Sequence, residues 1–548
     1  MHGSPIVRRA LELARRRQRE ASGLPPPLPG TSGIGRRSLL KLMAAAAGSA
    51  ALPLAACKGR TKGEVAIVGG GLAGLMALRT LTEAGVPTRL YEARRRIGGR
   101  VLTRTDFPLT GWVEMGGQLV NTDHADMIAL AEAFRIPLID TNALGGVDQA
   151  VRDRELLAQA TLARALAPIA AQIAEDSERL DADWETAAPE LDRISIAAYL
   201  DRHGNRIGDP AVRRLLEQTS RTEYGAEPDE ASAIELIWNL PTVDGDAYEV
   251  LGTSDERFVV TGGSQRITDA LAEAHADQIE RGRKLTALAK VGEDAVTLKF
   301  DGGEEVTAER VILAVPPGLL AEIDHGGLLS ADWQAFAGEV RLGRNEKLNA
   351  VYSSKPWAGT AMGIDGATWD LGDAAAFAEV WECTGGQRAP QGVLTWFLGG
   401  KQLDGFRDDG LRRKLEDSVG AAMGDLAGAA HAYAARTGWV SDPFTRGAYS
   451  NFKPGQLTRF GGLLWIEEDD GTASQVARSG PILFAGEHLS DAWPGFMQSG
   501  RLGVIATSNT GLVPWYSAKG VPTGASAGSS MMPWWSSPSS SSRLEHIM

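Results

Sequence analysis

Glu64-Val-Ala-Ile-Val68-Gly69-Gly70-Gly71-Leu72-Ala73-Gly74, closed by Thr88-Arg-Leu-Tyr91-Glu92, is the stretch that decides the fold of this chain. A short apolar run leads into a glycine turn, a helix-like segment follows from Leu75 to Ala84, and a second β-like run ends on an acid. Strand, glycine turn, helix, strand and acid, in that order, make a dinucleotide-binding unit of Rossmann type. Gly69 permits the tight turn, Gly71 lets backbone approach a pyrophosphate, and Gly74 lets the helix pack close to the sheet. The helix start presents unpaired N–H groups and a partial positive charge to phosphate. Glu92, 23 residues after Gly69, is placed to accept hydrogen bonds from ribose hydroxyls. A glycine-rich turn alone is usually only a turn; here the flanking elements and the acid all agree.

The next residues, Glu92-Ala-Arg94-Arg-Arg-Ile-Gly98-Gly99-Arg100, resemble the second glycine motif of the flavin-containing amine oxidase superfamily, which takes in monoamine, polyamine and L-amino-acid oxidases and, more distantly, desaturases. The resemblance implies FAD rather than NAD, with Glu92 on the adenosine ribose and Arg94, Gly99 and Arg100 along the pyrophosphate. Guanidinium forks suit phosphate oxygens, which agrees with that placement.

Further motifs extend the resemblance over most of residues 64 to 510. Glu114-Met-Gly116-Gly117-Gln118 is similar to the third glycine motif, where backbone passes beside the flavin, and Leu285 falls where the family flanks the adenine. Asn345-Glu-Lys347-Leu-Asn-Ala-Val-Tyr352 resembles the strand whose lysine holds a water against flavin N5. A lysine within such a strand costs free energy unless it is satisfied. Trp439 and Gly447-Ala448-Tyr449 resemble the segment facing the isoalloxazine ring, with Tyr449 as one wall of an aromatic cage around the amine. Ala448 stands where some members carry a flavin-linking cysteine, so FAD is expected to be non-covalent. Phe484-Ala-Gly486-Glu487 and Trp493-Pro-Gly495-Phe496-Met497 resemble the C-terminal motif. There Glu487 reaches the ribityl or phosphate region, Phe496 is the second cage wall in place of the commoner tyrosine, and a helix is expected from Gln498 to Ser508.

The front of the chain has another character. Residues 1–56 hold nine Lys/Arg against Glu12 and Glu20, so they contribute +7 to a net charge of −13 and leave about −20 for the remainder. Gly35-Arg36-Arg37-Ser38-Leu39-Leu40-Lys41 precedes an apolar, alanine-dominated run to Ala56, which suits a signal-peptide core better than a membrane span. The paired arginines resemble a twin-arginine export signal. Leu54-Ala-Ala-Cys57 resembles a lipobox, and lipidated Cys57 would anchor the protein to the outer side of the cytoplasmic membrane; otherwise the mature protein is periplasmic. With Cys57 removed or lipidated, Cys383 is left alone and no intrachain disulfide can form.

An acidic body argues against nucleic acid as a partner. The eight histidines show no paired-ligand spacing, so no metal site is expected. Gly524-Ala-Ser526-Ala-Gly528 matches a hydrolase pattern but lacks the strand and helix a nucleophile elbow requires.

The expected fold class is α/β: a Rossmann-type FAD-binding domain over 64–122, 256–320 and 455–512, interleaved with an α+β substrate domain over 123–255 and 321–454. Residues 1–57 form the export signal and 513–548 a low-complexity tail. Helical patterns run from Leu156 to Leu180, from Ala211 to Thr219 and from Ile267 to His275. The resemblance implies an FAD-dependent amine oxidase: hydride transfer from the carbon bearing the amine to flavin N5 gives an imine, water hydrolyses it, and oxygen or another acceptor takes the electrons. Lys347, Tyr449 and Phe496 are the catalytic candidates. Two alternatives stand beside this one. An L-amino-acid oxidase would need a carboxylate-binding arginine, which Gln118-Leu-Val-Asn-Thr-Asp-His124 does not offer, although Arg221 could substitute. A desaturase-like flavin enzyme should lack the settings of Lys347 and Tyr449.

Overall fold

The computed structural model describes residues 64–252, 254–292, 295–467, 473–491 and 493–500. The export signal, the serine-rich tail and residues 501–508 of the helix expected from Gln498 lie outside the described residues, and Met497–Gly500 form a 3₁₀ turn.

Strand β1 (Val65–Val68), helix α1 (Leu72–Glu83) and strand β2 (Thr88–Glu92) follow one another as the opening motif requires. The helix begins three residues earlier than its apolar pattern indicates, because extended Gly71 (φ −74°, ψ 179°) delivers the chain straight into the first turn. A Cβ on Gly74 would stand 1.9 Å from the Gly69 carbonyl oxygen, so only glycine lets helix and turn meet there.

β1 and β2 lie inside a six-stranded sheet ordered Ile279–Arg281, β2, β1, Arg310–Leu313, Ile482–Phe484, Arg478–Ser479. The first five strands are parallel and the last pair is antiparallel. Both faces are covered: Val65, Ile67, Leu90 and Ile312 pack with α1, while Ala66, Val68, Tyr91 and Val311 join a core that includes Phe300 and Phe484. Burial on two faces explains why the central strands β1 and Ile482–Phe484 read as unbroken apolar runs.

A second, seven-stranded sheet has the order Ala430–Arg436, Asn345–Tyr352, Gly392–Gly399, Glu379–Glu382, Ala367–Asp370, Gln149–Arg152, Glu155–Leu156. The Asn345–Tyr352 strand is buried at all eight positions. Leu348, Ala350 and Tyr352 pack with Trp396 and Leu398, and the other face carries Asn345, Lys347 and Asn349. The helices Gln159–Ala182 and Pro210–Glu223 accompany this sheet. Each differs from its expected bounds for a local reason. Leu156 pairs with Val151 across a turn in which Asp153 and Arg154 take positive φ. The second helix runs four residues past Thr219 because buried Ser220 donates to the Ala226 carbonyl at 2.9 Å, which satisfies its hydroxyl inside the core. The third expected helix runs Gln265–Ala274.

Candidate cofactor and amine site

A long cleft opens at the carboxyl ends of the parallel strands, where α/β sheets place their ligands. One end is lined by Glu92, Arg283 and Leu285, the middle by Gly69, Gly71, Gly99 and Arg100, and the far end by Gly117, Tyr449, Phe496 and Met497. Glu92 is buried, and its carboxylate accepts from Gly70 N at 2.6 Å and from Arg94 N at 2.7 Å. It therefore fixes the glycine turn, and two further lone-pair positions are left for ligand hydroxyls. The first turn of α1 has no acidic residue and Gly71 gives no side-chain cap, so the helix start is electrostatically free for an anion. A Cβ on Gly71 would meet no protein atom closer than Gly99 Cα at 3.9 Å, so the space beside Gly71 can be filled by a ligand. These features fit a dinucleotide with its diphosphate at the helix start.

Two arginines of the second glycine motif are held from far along the chain. Arg94 pairs with Asp442 at 2.5 Å and lies over the Phe444 ring at 5.2 Å. Arg100 donates to the Ala448 carbonyl and, at 2.7 Å, to Glu487. Glu487 also accepts from Ser450 N, Ser450 Oγ and Gly495 N at 3.2, 2.8 and 2.9 Å. Its carboxylate is committed to protein donors, so it acts on a ligand by fixing Arg100 and the two loops. Burial alone would raise its pKa, but Arg100 holds it below the usual carboxylate range. Gly486 and Glu487 line the cleft beside His488, whose burial pushes its pKa down to about 4, so its imidazole is neutral at physiological pH.

Behind the far end stands Lys347. Its Nζ donates to the Gly116 carbonyl at 2.8 Å and lies 5.4 Å from the centre of the Trp381 ring. Burial lowers its pKa, opposed by the nearby Glu114 and Glu256 carboxylates. Glu114 is itself pushed up by burial, although Ser264 N and the Thr103 hydroxyl donate to it at 2.6 and 2.8 Å. Trp439 donates its indole N–H to the Met115 carbonyl at 2.8 Å. Gln118 accepts from Trp381 at 3.2 Å. Gly116 could carry no Cβ, which would sit 1.8 Å from the Arg100 carbonyl oxygen. Gly74, Gly116, Gln118, Trp439 and Lys347 thus support the cleft from behind its lining. Tyr449 faces Phe397 at 6.5 Å, whereas Phe496 contacts His124 and Trp493 at 5.2 and 6.3 Å. Both rings border the same cleft.

The sequence profile described as flavin containing amine oxidoreductase matches residues 72–503. The chain belongs to that family. Among curated relatives, a putative flavin-containing monoamine oxidase, AofH, of Mycobacterium tuberculosis is 26% identical over 447 residues, 79% of this chain and 93% of that one. A flavin-containing amine oxidase of Danio rerio is 22% identical over 451 residues, covering 79% and 83%. Among solved structures, putrescine oxidase bound to putrescine aligns with a TM-score of 0.69 at 23% identity, over 82% of this chain and 98% of that one. Cyclohexylamine oxidase from Brevibacterium oxydans aligns at 0.65 and 22% identity, over 83% and 99%. At these identities the structures speak to the fold alone.

This amine oxidoreductase is a flavoprotein, and the cleft is where its FAD fits. Sequence reasoning missed Asp442 as the partner of Arg94, Trp381 as the platform under Lys347, and His488. Asp442 and His488 carried a signal in their neighbourhood to Tyr449 and Glu487, whereas Trp381 carried none. Among the described residues no group of His, Cys, Asp or Glu is arranged to hold a metal ion. Ala448 lines the cleft and offers no thiol, so acid precipitation of the holoenzyme should leave all the flavin in the supernatant; yellow protein in the pellet would contradict this.

Proposed function

We propose that this enzyme oxidises an amine that carries no carboxylate, giving an imine that water hydrolyses to an aldehyde or ketone, with hydrogen peroxide formed when oxygen accepts the electrons. Bound FAD supplies the two-electron acceptor for the C–H bond beside the nitrogen. Tyr449 and Phe496 orient the neutral amine and exclude water, and Lys347 holds a water beside the reacting carbon. The observation that carries this reading is the Lys347 side-chain nitrogen, fixed at 2.8 Å on the Gly116 carbonyl of the third glycine motif, directly behind the end of the cleft that Tyr449 borders.

The absence of a carboxylate clamp rests on Arg221. Its guanidinium is held by Glu227 at 2.8 and 3.3 Å and by Gln218 at 3.2 Å, so the arginine that could have served an amino acid is already engaged. Anaerobic addition of primary amines should bleach the flavin band, while L-amino acids should leave it oxidised. A flavin bleached by dithionite but by no amine would overturn the reading.

A further inference from the structure

The strand that carries Lys347 also carries a buried carboxylate on its opposite face. Side chains alternate along Asn345–Tyr352, so Glu346 shares the apolar face of the sheet with Leu348, Ala350 and Tyr352 and stands opposite Leu398. It is 3% exposed. Among the described residues no lysine or arginine pairs with it. A carboxylate in such a place costs free energy unless hydrogen bonds satisfy it.

Three donors do so, and all come from the segment where the chain leaves the edge strand Ala430–Arg436. Thr437 Oγ1 and Trp439 N donate to Glu346 Oε2 at 2.5 and 3.0 Å, and Val440 N donates to Oε1 at 2.9 Å. Thr437 is tied to Lys347 as well: its hydroxyl accepts from Lys347 N at 2.8 Å, and its own N donates to the Lys347 carbonyl at 3.0 Å. Glu346 therefore anchors the start of the loop that runs along the cleft. Farther along that loop Asp442 holds Arg94, and Pro443, Phe444 and Thr445 line the cleft.

Trp439 and Lys347 then meet again on the third glycine motif. The Trp439 indole N–H donates to the Met115 carbonyl and Lys347 Nζ to the next one, Gly116, each at 2.8 Å. Glu346, Trp439, Met115, Gly116 and Lys347 thus close a ring of covalent and hydrogen-bonded links, and Gly117, the following residue, lines the reacting end of the cleft. The Trp439 carbonyl also accepts from Thr445 Oγ1 and Gly447 N, both at 3.1 Å, which fixes the chain on its way to Tyr449. Displacing a reacting group by 1 Å can cost about 100-fold in rate, so what holds this ring holds the chemistry. Glutamine has the shape for that task but one acceptor oxygen, and its amide N–H would face a backbone N–H that cannot reverse its role.

We propose that Glu346 is a positioning residue for amine oxidation: through Thr437 and Trp439 it sets where Lys347 and the third glycine motif stand at the reacting end of the cleft. The proposal rests on the amine-oxidising reading above and adds to it a residue from the far face of the sheet, which touches neither substrate nor cofactor.

The test follows anaerobic flavin reduction at rising amine concentration in the FAD-loaded enzyme. Glu346→Gln should lower the limiting rate constant about 10- to 100-fold, while the amine concentration for half-saturation stays within about threefold. A glutamate that served stability alone would lower Tm and leave the rate per bound flavin unchanged. Thr437→Ser keeps the hydroxyl and should stay within about threefold of wild type. Thr437→Val should follow Glu346→Gln, and it is the second variant should Glu346→Gln fail to hold flavin. Trp439→Phe removes the indole N–H, so in that background Glu346→Gln should cost less than about threefold more. A limiting rate within about threefold of wild type, or losses that multiply in full with Trp439→Phe, overturns the proposal. The absorption band of bound oxidised flavin needs no amine, and it should move in the same direction in Glu346→Gln and Trp439→Phe. If no amine bleaches the flavin, the amine reading falls; a band that moves in both variants then keeps Glu346 as a positioning residue, and an unmoved band removes it.

Discussion

Gly71→Ala is expected to weaken FAD binding by about 10- to 100-fold while leaving the fold intact, and Gly74→Ala to damage the fold itself. The two glycines are three residues apart in one motif, but their surroundings are opposite. A methyl group at Gly71 meets no protein atom closer than 3.9 Å, and the backbone there (φ −74°) is open to alanine. The new atom intrudes only on the ligand, and overpacking of a well-fitted contact costs about 1–3 kcal/mol. A methyl group at Gly74 would lie 1.9 Å from the Gly69 oxygen, so α1 must move off the sheet or the turn must open, a cost of about 3 kcal/mol or more. Melting curves at rising FAD separate the cases. A ligand that binds only the folded state raises Tm in proportion to the logarithm of its excess over Kd. Gly71→Ala should melt with the wild type when FAD is absent and fall behind it only as FAD is added, whereas Gly74→Ala should melt lower even without FAD. A Gly71→Ala apoprotein that melts below the wild type, or a Gly74→Ala apoprotein that melts with it, would show that the glycine concerned lacks the role given to it here.

The local part of this architecture was legible because each of its steps is short in sequence. Gly69, Gly71, Gly74 and Glu92 lie within 24 residues, and their spacing alone carries the turn, the helix start and the acid. The strand bearing Lys347 was equally visible, although its burial on both faces was not: alternation in a sequence records which residues are apolar, and Asn345, Lys347 and Asn349 are buried polar groups. The contacts that shape the site join residues hundreds of positions apart. Arg94 and Asp442 are separated by 348 residues and Arg100 and Glu487 by 387, and no local pattern couples either pair. Lys347 and Glu346 take their faces only through strand register, and a shift of one residue in the pairing with Gly392–Gly399 would exchange them. Helix ends were the other weak point. Polar Ser220 and Thr222 follow the end of the apolar pattern at Thr219, yet they are buried and bonded to backbone carbonyls.

Lys347→Met should lower the rate constant for anaerobic flavin reduction by saturating amine about 100-fold, the range of a lost positioned proton-handling group, without loss of stability. Methionine keeps the length of the side chain and fills the space beside Trp381, but it cannot donate to Gly116 or hold a water. Proton linkage sets the stability of the variant. Burial lowers the pKa of Lys347 in the folded protein, so the unfolded chain binds the proton more tightly. Between the folded and unfolded pKa values stability therefore rises with pH, and below the folded value the protein carries the whole cost of the buried ammonium. Methionine carries no such cost. The variant's Tm should match or exceed that of the wild type near neutral pH, and the difference should narrow as pH climbs towards about 10.4, the unperturbed lysine value. Slower reduction together with undiminished stability would mark Lys347 as a group held in place for chemistry at the expense of the fold. A reduction rate within about threefold of wild type would remove Lys347 from the mechanism, and a lower Tm at neutral pH would mean that its bond to Gly116 outweighs the cost of burying its charge.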